Sequence, residues 1–407
     1  MDHDLDYILR RFRGDGSYLY IDGKKFIDAA SGTFNLPLGY TNESIGARLK
    51  AQIDRGCHLS STHTLEMSKI ILARLRKYLP KDLSRIWLRD VSGSGAVECA
   101  IRMAQKRTGR SGVISLYLAH HGQSLATAQI SGNAFRIRDF KIDVPGSVKI
   151  PIPPSVLAGD TQSSTARDFT DLDQLLEMGT SNNVACMIVE PILGNGGNIV
   201  LSQAFYEHIR AFCYRHDVIL IADEVQTCFG RTGSFFASSG YARALDPDIL
   251  VFAKGASGIG IPIGRVFMRP ELDVLAFYEH SSTCGANPLS LIAMDETITI
   301  IEEQKILENV RENESYIRDA LLDLQSRYRC VCDVRGLGYM YGFDTPTIDF
   351  AADLIRIADR NGLIIRGARY GRSTAIKIRP PLICKKEELK EIIEKLEKSL
   401  HEICFVQ

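Results

Sequence analysis

Four short apolar runs constrain the fold of this chain more than any other feature. Gly112–Tyr117, Ala185–Glu190, Val218–Ala222 and Ile249–Ala253 are of strand length and nearly free of polar residues. A strand without an alternating polar face has no side to give to water, so it belongs in a sheet covered on both faces. The segments between the runs supply that cover: Gln203–His216, for example, spaces its apolar residues at helical intervals. From about Ile86 the chain therefore alternates strand, helix, strand, helix. This is the pattern of a mostly parallel central sheet sandwiched by helices, an α/β architecture. At 407 residues the chain is long enough for such a large domain and a second, smaller one.

The two ends differ from this middle. Tyr18–Ile21 and Lys25–Asp28 read as a hairpin about the turn Asp22-Gly23-Lys24. Helical patterns follow near Ile45–Gly56 and Leu65–Tyr78. From about Asp139 to Asp171 the chain is rich in Pro, Ser and Thr, which predicts an irregular surface excursion. Pro288 opens a long helical run to about Arg329, which leads to Val334–Phe343. The tail then alternates a helix (Phe350–Asn361), two strands (Leu363–Arg366 and Ala375–Ile378) and a charged terminal helix (Lys386–Glu402). The tail predicts a smaller α+β domain. The expected division is residues 1–50 as an N-terminal hairpin and helix joining the small domain, 51–300 as the large domain, and 301–407 as the C-terminal small domain.

Composition excludes several functions. With 49 basic and 49 acidic residues the formal net charge is zero, so no nucleic-acid or membrane partner is expected. No apolar run approaches the roughly 18–20 residues of a membrane span. The first residues, MDHDLDYILRRFRGDG, are charged and lack the apolar core of a secretion signal. Ten scattered cysteines show only one close pair, Cys330-Val-Cys332, with no histidine at metal-ligand spacing. The expectation is a cytoplasmic protein with reduced, mostly buried thiols and no metal.

Two of the buried runs end in chemistry. Val218–Ala222 leads into Asp223, and Ile249–Ala253 into Lys254. A lysine at the end of a buried strand is poorly solvated, so its pKa falls toward that of a free amine nucleophile. A carboxylate on the neighbouring strand is placed to hold a protonated pyridine nitrogen. Together these are what a pyridoxal phosphate (PLP) site needs. Ser92-Gly93-Ser94-Gly95 opens the helix Ala96–Arg107, where free amides and the helix dipole favour an anion. Taken alone, such a turn is equally well a helix cap.

Read in order, Asp223-Glu224-Val-Gln226, Gly230-Arg-Thr-Gly233, Pro247-Asp-Ile249 and Lys254 resemble the signature of the class III (ornithine/GABA-type) aminotransferases of PLP fold type I. The resemblance covers nearly the whole chain. It implies that Lys254 holds PLP as a Schiff base and shuttles the substrate proton, that Asp223 keeps the pyridinium protonated, and that Gln226 bonds the phenolic oxygen. It implies too that Ser92, Gly93, Ser94 and the Gly95 amide form the phosphate turn, with His120, His121 and Glu190 beside the cofactor. Ser281–Pro288 is similar to the segment whose threonine, here Thr283, reaches the phosphate of the other subunit, which implies a homodimer.

Three departures from the family pattern bear on the reaction. His120 stands where relatives carry an aromatic residue that stacks on the cofactor; an imidazole stacks too, but it also exchanges protons near neutral pH. Asn195 replaces a glutamate that follows Glu190 by five residues in the ornithine and GABA enzymes and masks their substrate-binding arginine. The Leu193 and Gly196-Gly197 context has some likeness to the dialkylglycine decarboxylase branch. Lys377 takes the slot of that arginine, three residues before Pro380-Pro381, and Arg379 follows two residues on. Residues two apart on a strand share a face, so both cations are candidates for a substrate carboxylate, although lysine lacks arginine's bidentate grip. The alternative is a pair of solvated cations on an edge strand. Phe34 and Asn35 follow the N-terminal hairpin, where relatives line the substrate entrance. Arg366 and Arg369 fall on an expected loop.

The first reading is a PLP-dependent aminotransferase that moves an amino group from an amine or amino acid to a carbonyl acceptor. The altered substrate residues keep a second open: a decarboxylase, lyase or racemase on the same scaffold. A catalytically silent PLP-fold binding protein is the third, against which Lys254, Asp223 and Gln226 all argue.

Overall fold

The computed structural model describes residues 9–60, 63, 65–140, 144–152 and 171–405. The first eight residues and much of the expected excursion at 139–171 lie outside them. The four apolar runs form the centre of a seven-stranded sheet. Its order is Arg85–Asp90, Gly264–Met268, Ile249–Ala253, Ile219–Asp223, Val184–Val189, Gly112–Leu116 and Val148–Ile150. From Ile249–Ala253 to Val148–Ile150 the strands are parallel. Apart from Tyr117, which is exposed past the end of its strand, the four runs are buried, which is the physical reason they carry no polar alternation.

Two strands of this sheet lie outside the sequence reading. Val148–Ile150 is an edge strand within the expected excursion. Gly264–Met268 runs antiparallel to both its neighbours. Its pattern is interrupted by Arg265, a charge that pattern alone places on a surface. Arg265 is nevertheless fully buried, and its guanidinium donates to the carbonyls of Asp90 and Gly264 and to the Ser290 hydroxyl.

The expected long helix after Pro288 is two helices, Pro288–Glu303 and Ile306–Arg327. They break at Lys305, whose φ is +52°. The expected strand Leu363–Arg366 likewise divides. Leu363–Ile364 pairs in parallel with Lys24–Asp28 of the N-terminal hairpin, and Arg366–Gly367 pairs with Ala375–Ile378. The latter belongs to a four-stranded antiparallel sheet with Cys332–Leu337 and Met340–Asp344. The hairpin turn is shorter than expected: Ile21 faces Lys24 across Asp22 and Gly23, both with positive φ, as a two-residue type I′ turn requires.

Strand direction places the polar groups together. Asp223 pairs with Val251, so the chain reaches Lys254 just beyond the same edge of the sheet. Glu190 follows the parallel strand Val184–Val189, and Ser92 follows Arg85–Asp90. The carboxyl edge of a parallel sheet is where such folds bind ligands. The hairpin and the small sheet close over that edge: the amide of Arg379 donates to Ala29 O (2.7 Å), and that of Leu382 to Pro37 O (2.7 Å).

Candidate active site

A cavity of about 690 Å³ opens at this edge. Ser92, Gly93, Ser94, His120, His121, Asp223, Gln226 and Lys254 line it from the large sheet; Phe34, Asn195 and Lys377 line it from above. Gly95, Glu190, Arg379 and Thr283 do not.

Lys254 begins a short 3₁₀ turn with φ at +40°, a conformation that costs a non-glycine residue energy and is held only where the surroundings dictate it. Burial pushes its pKa below the usual lysine range, while Asp223 and Glu190 pull part of the way back. Asp223 is buried. Its Oδ2 accepts from His121 Nδ1 (2.8 Å) and its Oδ1 from the Val225 amide (3.1 Å). The His121 backbone is held in turn, its amide donating to Ser131 Oγ (2.9 Å).

The turn before helix Gly93–Thr108 does two jobs. Ser92 Oγ caps the helix by accepting from the Gly95 amide (3.1 Å), so Gly95 is occupied within the protein and is no direct donor to a ligand. The amides of Gly93 and Ser94, in the first turn, have no intrahelical acceptor. Ser94 Oγ accepts from the Gln123 amide (3.0 Å), which leaves its proton free to donate. The floor is tight: a Cβ on Gly122 would lie 2.6 Å from Ser94 Oγ, and one on Gly93 would lie 3.0 Å from Val225. Free amides, hydroxyls and a helix N-terminus suit a phosphate, and the buried amine and carboxylate suit a pyridine ring and its carbonyl. The donor set fits PLP.

Behind the wall, Glu190 accepts from the amides of His120 (2.7 Å) and Gly194 (3.1 Å). Burial pushes its pKa up to about 7. Arg379, 1% exposed, is spent on the protein. Its Nε donates to Asn198 Oδ1 (2.9 Å), Nη2 to Gly194 O (2.9 Å) and Nη1 to Gln226 Oε1 (2.5 Å). Because Gln226 accepts with its oxygen, its amide nitrogen is turned the other way, toward Glu190 Oε2 (3.5 Å). Phe34 lies between the two cations, its ring centroid 4.2 Å from the Arg379 guanidinium and 4.6 Å from Lys377 Nζ. Burial, with Arg379, Lys254 and Arg366, holds Lys377 well below the usual lysine range.

His120 Nδ1 faces Arg136 Nη1 at 3.0 Å, and an arginine only donates, so Nδ1 is an acceptor. Burial, Lys254 and Arg136 push its pKa down to about 3, leaving an uncharged ring at neutral pH. Thr283 is exposed, away from the cavity. Its segment is anchored on the N-terminal side: the Ser282 amide donates to Arg89 O (3.0 Å), and His280 Nε2 meets the buried Asp90 carboxylate at 3.1 Å. Cys99 lies near that pair.

Glu224 and Arg231, part of the sequence signature, are scaffold. The Glu224 carboxylate accepts from the amides of Ala237 and Ser238, the Ser238 hydroxyl and Thr227 Oγ1. Arg231 donates to Tyr339 O, Pro380 O and Ser31 Oγ, tying the loop to the hairpin and the small sheet. Asn35, expected beside Phe34, lines the cavity as well. Sequence reasoning left out Gln123 and Thr33, which also line it, and Asn198, which anchors Arg379. None had a local pattern to mark it. Arg366 also lines the cavity, from the short strand Arg366–Gly367.

Comparison with known proteins places this geometry. The model of the family "Aminotransferase class-III" matches residues 3–400. The 5-aminovalerate aminotransferase of Pseudomonas aeruginosa is 32% identical over 359 residues, 85% of this chain and 82% of that protein. The acetylornithine aminotransferase of Methanocaldococcus jannaschii is 32% identical over 96% of this chain and 93% of its own. Among solved structures, the taurine:2-oxoglutarate aminotransferase of Bifidobacterium kashiwanohense, in complex with PLP and glutamate, superposes with a TM-score of 0.87. It is 26% identical, and the match covers 96% of this chain and 92% of that one.

Proposed function

The chain belongs to the class III aminotransferases, enzymes of PLP fold type I, and on that basis we propose how its own residues divide the work of a PLP-dependent transaminase. Bound in the cavity, PLP supplies a carbonyl for the amino group and a ring that draws electrons from the donor carbon. Lys254 Nζ is the group that would hold the cofactor covalently. Its pKa lowered by burial, it would take the proton from the donor's Cα and later return it. Asp223, itself steadied by His121, holds a proton at the ring nitrogen. The Gln226 amide, aimed by Arg379, donates to the phenolic oxygen. Ser92 and Ser94 hydroxyls and the amides of Gly93 and Ser94 take the phosphate. His120, an uncharged ring, stacks and helps to exclude water.

Thr283, exposed on an anchored segment, completes the phosphate site of a second subunit, which makes the working unit a homodimer. The hairpin region 1–50 and residues 301–407 act as a small domain over the large one, 51–300. The donor is a small amine or amino acid, the acceptor a keto acid or aldehyde, and the enzyme works in the cytoplasm. No helix among the described residues is long and apolar enough to cross a membrane.

The observation that carries this reading is one cavity in which a buried lysine and a buried aspartate emerge from adjacent parallel strands beside an anion cup. The test is a half-reaction. Purified, PLP-loaded protein is given amines and amino acids without an acceptor while the cofactor's absorbance is followed. Stoichiometric bleaching reversed by a keto acid or aldehyde is expected. Repeated turnover releasing carbon dioxide, ammonia or an inverted enantiomer would overturn transamination as the main activity.

A further inference from the structure

We propose that Cys330 and Cys404 form a thiol–disulfide exchange site, which low-molecular-weight disulfides such as glutathione disulfide convert to a reversible staple on the last helix. The site is separate from the cavity and does not depend on the transaminase reading.

The two sulfurs lie 2.9 Å apart, although 74 residues separate them in the chain. A disulfide spans about 2.05 Å, so closure asks for a movement of under about 1 Å. Among the described residues no other two cysteines are in hydrogen-bond contact. Packing fixes the approach. Cys330 stands in the turn between helix Ile306–Arg327 and strand Cys332–Leu337, and Cys404 in the last turn of helix Lys386–Phe405. Arg327 forms an ion pair with Glu397, and the Tyr328 ring meets that of Phe405 at a centroid distance of 6.2 Å. Helix Ile348–Arg360 holds the same end of the last helix, with Arg360 on Glu402 (2.7 Å).

The thiols differ in a way that assigns their roles. Cys404 is exposed and can meet a solute directly, whereas Cys330 is 8% exposed. Burial, together with the bond to Cys404, pushes the Cys330 thiol up to about 12, so Cys330 enters second, as the resolving sulfur. The Cys404 thiolate attacks one sulfur of the external disulfide, whose S–S bond breaks, and the first small thiolate leaves. Cys330 gives its proton to that thiolate and attacks the Cys404 sulfur. The second small thiolate departs and takes up the proton that Cys404 released on ionising. Two protein thiols are oxidised, and one external disulfide is reduced to two thiols. Excess small thiol runs the same steps backward, so in a reducing compartment the pair rests as the dithiol.

Two rival accounts are weaker. Cys332 is nearby and exposed, but its thiol is turned to Arg329 O (3.6 Å). A metal is not favoured, because among the described residues these three cysteines do not bring their sulfurs close enough together to share an ion.

The test uses full-length, PLP-loaded enzyme equilibrated at graded ratios of glutathione to glutathione disulfide, then alkylated, weighed intact and digested with trypsin. Oxidising buffers should remove two hydrogens per chain and join peptide 330–335 to peptide 399–407, and dithiothreitol should restore both. Cys330 and Cys332 share a peptide, so variants decide between them. Cys332→Ser should keep the link. Cys330→Ser should lose it and leave one glutathione on Cys404, the attacking thiol deprived of its resolving partner. The oxidised enzyme should have a higher urea midpoint than the reduced one, a shift absent from Cys404→Ser, because a cross-link closing so long a loop constrains the unfolded chain. No link at any ratio, a link that survives Cys330→Ser, or a urea midpoint indifferent to oxidation would overturn the proposal.

Discussion

Replacing Arg379 with methionine separates two roles that its position beside the cavity allows. The side chain makes no contact with the cavity's interior; it satisfies Asn198 Oδ1, Gly194 O and Gln226 Oε1. Methionine fills much of the volume, leaves Asn198 Oδ1 and Gln226 Oε1 without this donor, and leaves Gly194 O only the long bond from the Gly197 amide (3.4 Å). Each costs about 1–3 kcal/mol. Against this stands relief from burying a guanidinium, whose desolvation already lowers its pKa to about 9. A net loss of about 3–5 kcal/mol is expected. It should appear as a clear drop in the urea midpoint. Gln226, no longer held by its oxygen, should lose its fixed orientation, so kcat falls for amino carboxylates and alkylamines alike. Arg379→Lys should recover little, because one ammonium cannot span three acceptors set in a fork. Lys377→Met is the counter-experiment, with little loss of stability and an effect confined to carboxylate-bearing substrates. An Arg379→Met enzyme with an unchanged urea midpoint and a raised KM for carboxylates alone would refute the reasoning. That outcome would make Arg379 the substrate's ligand.

Lys254→Ala should lose the lysine-bound absorbance of the cofactor and at least about 10³-fold in half-reaction rate, while retaining cofactor through the anion cup and Asp223; retained turnover would move the proton carrier elsewhere. His120→Phe should keep the wild-type pH profile and most of kcat, because His120 is uncharged throughout the neutral range. A vanished pH limb would instead show that His120 exchanges protons. Glu190→Gln tests the buried carboxyl whose pKa burial raises to about 7. A raised carboxyl pKa contributes stability fully present below the ordinary carboxylate range and lost as pH rises through about 7. The urea midpoint of the variant relative to wild type should therefore shift in the variant's favour between about pH 5 and pH 9, by up to about 3 kcal/mol; a pH-independent difference would argue against it.

What the sequence disclosed and what it hid divide along a physical line. Lys254 and Asp223 were legible because each directly follows a run that can only be a buried strand, so position and chemistry come from one local pattern. The break at Lys305 and the buried Arg265 were not, since a positive φ and a buried guanidinium are tolerated only for reasons supplied by distant neighbours. The two cations near Pro380 show the limit most clearly. Alternation along a strand assigns Lys377 and Arg379 to one face, but the strand ends at Ile378. Past that point the Arg379 amide turns to bond Ala29 O, and alternation no longer dictates where its side chain goes. Its direction is set by acceptors 153, 181 and 185 residues away in the chain. The true companion of Lys377 is Arg366, eleven residues earlier and opposite it in register, a pairing set by how the strands align and not by spacing along one of them. A cation's presence near a site is thus a local property of a sequence. Its availability is not, because it depends on which oxygens the rest of the fold brings to meet it.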